Sequence, residues 1–301
     1  MKVRIGYGLG TSTSLNDERF GLVVDALEAG GWDSLWVSER ISGAAPDPTV
    51  ALAYAAGRTS KIKFGMSVMV LPGRNPVIVA TQLASLDRLS GGRLLPAFGL
   101  GIANHHEQQA FGVTREDRAG WFNEALPLLR RMWTEDVVEH HGQRFNYDGV
   151  RVQPKPKQQP MEVWLGGIAP SELRRVGRHA DGWLPSFITP DEAAAGRIVI
   201  EQAAAEHDRL IDPEHFGVLL PYAMGPIPEA TAAALQARRP TINLDEIIAD
   251  GFESLDNMIN RYVELGFSKF VVIPLSEPTD FVTHLDEAAQ ALLPLQVSLS
   301  T

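Results

Sequence analysis

Short apolar runs alternate with helical repeats from one end of the chain to the other. Val3–Tyr7, Ser34–Val37, Ile62–Ser67, Leu94–Phe98, Glu162–Leu165, Gly182–Leu184, His215–Leu220 and Lys269–Ile273 read as strands. Several are apolar throughout instead of alternating, the pattern of parallel strands covered on both faces. Between them, apolar positions recur at helical spacing. Phe20, Val23, Val24 and Leu27 share a face, and Gly30-Gly31 ends that helix. Asn75 is expected to cap another, with Pro76 at its first position and Gly91-Gly92 as its stop. A helix from about Glu116 to Trp133 contains Pro127, which predicts a kink. Ser254 is expected to cap a helix ending at Gly266, and Phe281, Leu285, Ala288 and Leu292 line the last one. About eight βα units predict an α/β fold, a closed (β/α)₈ TIM barrel, with residues 1–301 as a single domain.

Two stretches exceed the length of a βα unit and read as insertions at the C-terminal face of the barrel. Residues 134–160 look like an αβ connection with a small hairpin, carrying His140-His141 on an exposed loop. Residues 185–254 include an Ala-rich helix near 191–210 and a second insertion near 226–252, and are expected to cover the barrel mouth. A doubly wound dinucleotide-binding sheet fits less well, because Gly6-Tyr7-Gly8-Leu9-Gly10 lacks the Gly-x-Gly-x-x-Gly spacing.

Composition narrows the chemistry more than the fold. The chain has no cysteine, which excludes disulfides, thiolate metal sites and cysteine nucleophiles. Its net charge of −10 opposes nucleic acid and anionic membranes, so the expected partner is a small molecule. No apolar run approaches the roughly 20 residues of a membrane span. Met1–Gly6 alternates like a strand and lacks the apolar core of a secretory leader, so a cytoplasmic location is expected.

In a barrel the active site lies at the C-terminal ends of the strands. Behind the second strand stands Glu39-Arg40. Neighbours on a strand point to opposite faces, so one of the two is expected in the mouth. Arg40 could hold an anionic group; Glu39 could accept hydrogen bonds from a cofactor or act in acid–base work. As an exposed pair they would contribute little. Gly166-Gly167-Ile168 precedes a helix starting near Pro170, and reads either as a phosphate seat or as a tight turn without a ligand. His105-His106-Glu107 follows the fourth strand without metal-ligand spacing. No metal is expected there, and His105 is the candidate general acid or base. Serine-hydrolase and phosphate-loop signatures are absent. Trp32, Trp36, Trp164 and Trp183 read mostly as helix–sheet core.

Several of these blocks occur together in one known family. Gly31-Trp32-Asp33-Ser34-Leu35-Trp36-Val37-Ser38-Glu39-Arg40, Arg74-Asn75-Pro76, Leu86–Leu94, Gly99-Leu100-Gly101, Val163–Gly167 and Ala180-Asp181-Gly182-Trp183 resemble the luciferase-like flavin oxidoreductases. The resemblance is greatest to the branch using the deazaflavin coenzyme F-420, and covers most of residues 1–190. It implies a non-proline cis peptide at Ser67-Val68 behind the cofactor ring, with Leu100, Gly101 and Ile102 beside it. It implies a phosphate site at Gly166, Gly167 and Ile168, and cofactor contact by Glu39. Sugar-phosphate dehydrogenases of the branch carry His after the strand-2 acid and Glu after Gly-x-Gly; this chain has Arg40 and Ile102. Sugar-phosphate oxidation is therefore not expected, and Arg40, His105 and His106 remain for handling the substrate. The implied activity is hydride transfer between the deazaflavin and a small organic substrate. The alternatives are an FMN-dependent monooxygenase supplied by a separate flavin reductase, and a non-catalytic deazaflavin-binding protein. A homodimer through barrel helices is also implied.

Overall fold

Parallel strands close into a ring in the computed structural model, which describes residues 1–14 and 16–296. The first two positions are β1 (Arg4–Leu9) and β2 (Ser34–Val37). The third is split into β3 (Lys63–Met66) and β4 (Met69–Val70) around the cis bond Ser67-Val68. The fourth is split into β5 (Leu94–Leu95) and β6 (Ala97–Gly99) around Pro96, which has no N–H for the ladder. An antiparallel hairpin, β7 (Val138–His141) and β8 (Asn146–Val150), lies outside the ring. The ring resumes with β9 (Trp164–Leu165), β10 (Gly182–Trp183) and β11 (Gly217–Ala223), the last flanked by β12 (Ala249–Asp250), and ends with β13 (Lys269–Pro274). Bridges Trp183↔Phe216 and Ser186↔Leu219 join β10 to β11, and Arg4↔Lys269 starts the β1–β13 ladder that shuts the barrel.

The helical shell follows local signals closely. α1 (Asp17–Gly30) ends on Gly31 at φ 79°, a left-handed C-cap that needs glycine. Asp47 caps α2 (Pro48–Arg58), and Asn75 caps α3 (Pro76–Leu89), donated to by Val77 and Ile78 N–H. A short α4 (His105–Phe111) precedes α5 (Arg118–Thr134), which continues through Pro127. Next come α6 (Pro170–His179), α7 (Pro190–Ala205), α8 (Glu229–Arg238), α9 (Gly251–Glu264) and α10 (Phe281–Leu292). α9 begins three residues before the expected cap: Asp250 is its N-cap, and Ser254 lies inside the helix. No described helix is long and apolar enough to cross a membrane.

The core has two compartments. The larger lies between strands and helices and takes Trp32 and Trp183 as expected. Trp36 and Trp164 instead fill the barrel interior with Leu95, Leu184, Leu219 and Val271. Gly65 and Gly182 make room for the two indoles: a Cβ on Gly182 would stand 2.5 Å from Trp164. Of the two insertions, only 185–254 reaches the barrel mouth, where Phe187, Leu235 and Ile248 form a small apolar cap. The 134–160 stretch packs beside α5, where Glu124 meets His140, Arg144 and Phe145, and none of its residues lines the cavity at the strand ends. His140 sits on a strand, half-buried, 3.1 Å from Glu124, and not on an exposed loop.

Candidate active site

A cavity of about 570 Å³ opens at the C-terminal ends of the strands. One wall is built on the broken third strand. Val68 stands between two glycines: a Cβ on Gly99 would approach its Cγ2 to 2.5 Å, and one on Gly166 its Cγ1 to 3.4 Å. A Cβ on Gly101, at φ 77°, would stand 3.0 Å from Val70 Cγ1. These glycines let the ends of the fourth and fifth strands close on Val68 without side chains projecting between them, and the result is a broad apolar face. Leu100, Ile102 and Ile168 extend it. Ser67 adds a hydroxyl 3.2 Å from that of Ser38. Such a wall accommodates a planar ring, so the residues present fit a flavin-type group.

The edge of this wall is the N-terminus of α6. Gly167 takes φ 96° there, followed by the amides of Ile168 and Ala169. They already have a partner: Ile168 N–H and Ala169 N–H each donate to Glu172 Oε2 at 3.0 Å. A phosphate arriving at this end must displace or share with that carboxylate. Arg175, one turn further, is buried over the Phe122 ring, and its Nε donates to Asn123 Oδ1 at 2.7 Å.

Glu39 and Arg40 both line the cavity, although alternation predicts only one. The chain has left β2 at Val37, so strand geometry no longer constrains them. The Glu39 side chain is 3% exposed and paired with Arg74. It also accepts from Val70 N–H at 2.6 Å, while Arg74 Nε donates to Val70 O at 2.9 Å. Burial pushes the Glu39 carboxyl above its usual range, only partly countered by Arg74 and the Val70 amide. Glu39 thus ties the second strand end to the third. Arg40 is exposed on the rim.

His105 stands elsewhere. It is exposed on the first turn of α4 beside His106 and does not line the cavity; Glu107, buried on the opposite side of that turn, does. Glu107 accepts from Ile41 N–H, Ser42 N–H and Ser42 Oγ at 3.2, 2.9 and 2.5 Å. Burial alone would raise its carboxyl, but these donors and nearby Arg40 hold it below the ordinary value. Sequence reasoning missed Arg175, Arg238 and Arg239 as wall residues. Only the prediction that residues 185–254 cover the mouth pointed toward the last two. Among the described residues no cluster of three or more His, Asp or Glu could hold a metal.

The luciferase-like monooxygenase family profile matches residues 4–266. The chain is 30% identical over 192 residues to an F-420-dependent glucose-6-phosphate dehydrogenase of Kineococcus radiotolerans, covering 60% of this chain and 56% of that protein. It is 29% identical over 227 residues to a 4-hydroxyprotoasukamycin monooxygenase of Streptomyces nodosus subsp. asukaensis, covering 71% and 61%. The chain spans about half the length of the curated relatives it matches first. An F-420-dependent secondary alcohol dehydrogenase in complex with an F-420–acetone adduct shares the fold, with TM-score 0.82, 21% identity and coverage of 99% of this chain and 100% of that one.

Proposed function

The chain belongs to the luciferase-like monooxygenase family, and from that premise we propose that it is an oxidoreductase that holds the deazaflavin coenzyme F-420 and a small organic substrate. The observation that carries this reading is the apolar face at Val68, kept open by Gly99, Gly101 and Gly166. Relatives and fold neighbours described as F-420-dependent support the deazaflavin. In this reading Ser67, Val68, Leu100, Gly101 and Ile102 flank the ring. Gly166, Gly167 and Ile168 receive the phosphate with Arg175 at hand. Glu39 acts through Arg74 and Val70 to hold the third strand end, and is a positioning residue.

When bound, the deazaflavin supplies the hydride chemistry. The chain's contribution is orientation and electrostatics: Val68 and its flanking glycines would hold one side of the ring, leaving the space bounded by the ends of β11, β13, β1 and β2 for the substrate. Arg40 lines that side of the cavity and would polarise or anchor the substrate there. His105 has no role in this reading unless α4 turns.

Titration with oxidised deazaflavin and with FMN, followed by fluorescence, tests the cofactor. Deazaflavin is expected to bind more tightly. If neither binds, the reading fails. Tighter FMN binding with oxygen consumption, given reduced flavin from a separate reductase, favours the monooxygenase alternative, which has its own relative. Deazaflavin binding with no hydride exchange favours the non-catalytic one. A homodimer fits the same reading: Val50, Tyr54 and Ile78 are 68%, 42% and 57% exposed on the adjoining helices α2 and α3. Light scattering of the purified protein checks it.

A further inference from the structure

The cavity wall is electrically unlike the rest of the molecule. Four arginines line it (Arg40, Arg175, Arg238 and Arg239) against three carboxylates, Glu39, Glu107 and Glu172, within a chain of net charge −10. Each carboxylate already has its donors: Arg74 and Val70 for Glu39, Ile41 and Ser42 for Glu107, and the α6 amides for Glu172. Two arginines are likewise engaged, Arg239 with Glu192 at 2.5 Å and Arg175 with Asn123 at 2.7 Å. Arg40 and Arg238 have no ion pair and no side-chain hydrogen bond among the described residues, and both are exposed at the rim.

Their position divides the mouth. The face at Val68 belongs to strand positions three to five. Arg40 follows β2, and Arg238 ends α8 in the connection after β11, so both belong to the half formed by positions seven, eight, one and two. That half carries apolar groups, Leu219, Ile273 and Leu275 from the strand ends and Phe187 and Leu235 from the cap, beside the hydroxyls of Thr11, Ser12 and Ser38. Unpaired guanidiniums beside an apolar wall suit a ligand with a charged head and a hydrocarbon or aromatic body. We propose that the substrate of this site is an organic anion with an apolar body, whose carboxylate or phosphate is recognised by Arg40 and Arg238. This rests on the oxidoreductase reading only for the word substrate; the anion site stands on the geometry. An anionic portion of the cofactor is the other source of the same chemistry.

Calorimetric titration of the cofactor-free protein with 4-phenylbutyrate, 4-methylpentanoate and phenyl phosphate, each against a neutral counterpart (the two amides and phenol), tests the anion site. At least one anion is expected to bind about tenfold or more tightly than its counterpart. Arg40→Gln and Arg238→Gln should each weaken that anion about tenfold, leave the neutral compound unchanged, and leave the Kd for oxidised deazaflavin unchanged. Equal binding of anion and neutral compound, or failure of all three anions, overturns the proposal. So do variants that weaken the deazaflavin and spare the anion, since the arginines would then serve the cofactor. Anion binding in a protein that binds neither deazaflavin nor FMN would leave the anion site standing and remove the oxidoreductase reading.

Discussion

Gly99 shows how narrowly the candidate site is drawn at the scale of one residue. A methyl group there would stand 2.5 Å from Val68 Cγ2, well inside contact distance, so Val68, which lines the cavity, would have to shift. Overpacking of this kind costs about 1–3 kcal/mol. Gly99→Ala is therefore expected to weaken deazaflavin about tenfold or more while the protein remains folded; an unchanged Kd by fluorescence titration would discount the Val68 wall. The sequence marks this glycine only as part of Gly-Leu-Gly after a strand. That its neighbour is Val68, 31 residues away, depends on β4 pairing with β6. Glu39 teaches the complementary lesson. Its type and place behind the second strand were legible, but its partner, Arg74, lies on the loop after the next strand. Chain pattern does not carry which carboxylate is free and which is spoken for.

At the scale of elements, α6 and α7 pack so closely that Gly177 has no room for a side chain: its Cβ would meet Ile200 O and stand 2.8 Å from Ala203 Cβ. Gly177→Ala should cost about 1–3 kcal/mol, read as a lower urea midpoint with an unchanged slope; a midpoint equal to the parent's would mean the helices can part freely. The same helix ends in a cluster of like charge. Burial first, then Arg178, Arg209 and Arg175, push His179 down from 6.5 to about 4. A histidine whose folded pKa is depressed contributes stability that is present above 6.5 and is lost as pH falls through about 4. Urea unfolding between those limits should show a fall with acid that His179→Asn reduces; equal slopes in both proteins would argue against it. Helix limits were largely legible here, since Pro170 and Gly31 are local signals. Ser254 misled, because Asp250 and a left-handed Gly251 start the turn sooner.

At the scale of the whole molecule, a buried ion pair lies at the N-terminal end of the barrel. Lys269 Nζ lies 2.7 Å from Asp33 Oδ2, and Lys269 is 4% exposed, at the start of β13 beside β1 and across from β2. Lys269→Met would leave Asp33 without its buried partner, at a cost of about 3–5 kcal/mol. The double variant Asp33→Asn/Lys269→Met should recover part of that, and cofactor affinity should not change in either, because the pair lies at the opposite end of the strands from the cavity. Guanidinium unfolding and the deazaflavin titration together check this; a double variant no more stable than the single one would show that the pair is not coupled.

The order of strands and helices, the capped helix starts and the glycine-rich strand ends were determined by the sequence, because periodicity, caps and backbone freedom act over a few residues. So was the family, through blocks of adjacent residues. The tertiary structure alone decided that Trp36 and Trp164 fill the barrel, that His105 faces away while Glu107 faces in, and that Arg238 joins Arg40 at the mouth. Each of these depends on contacts between strand ends far apart in the chain, brought together only when β13 pairs with β1 and the ring closes.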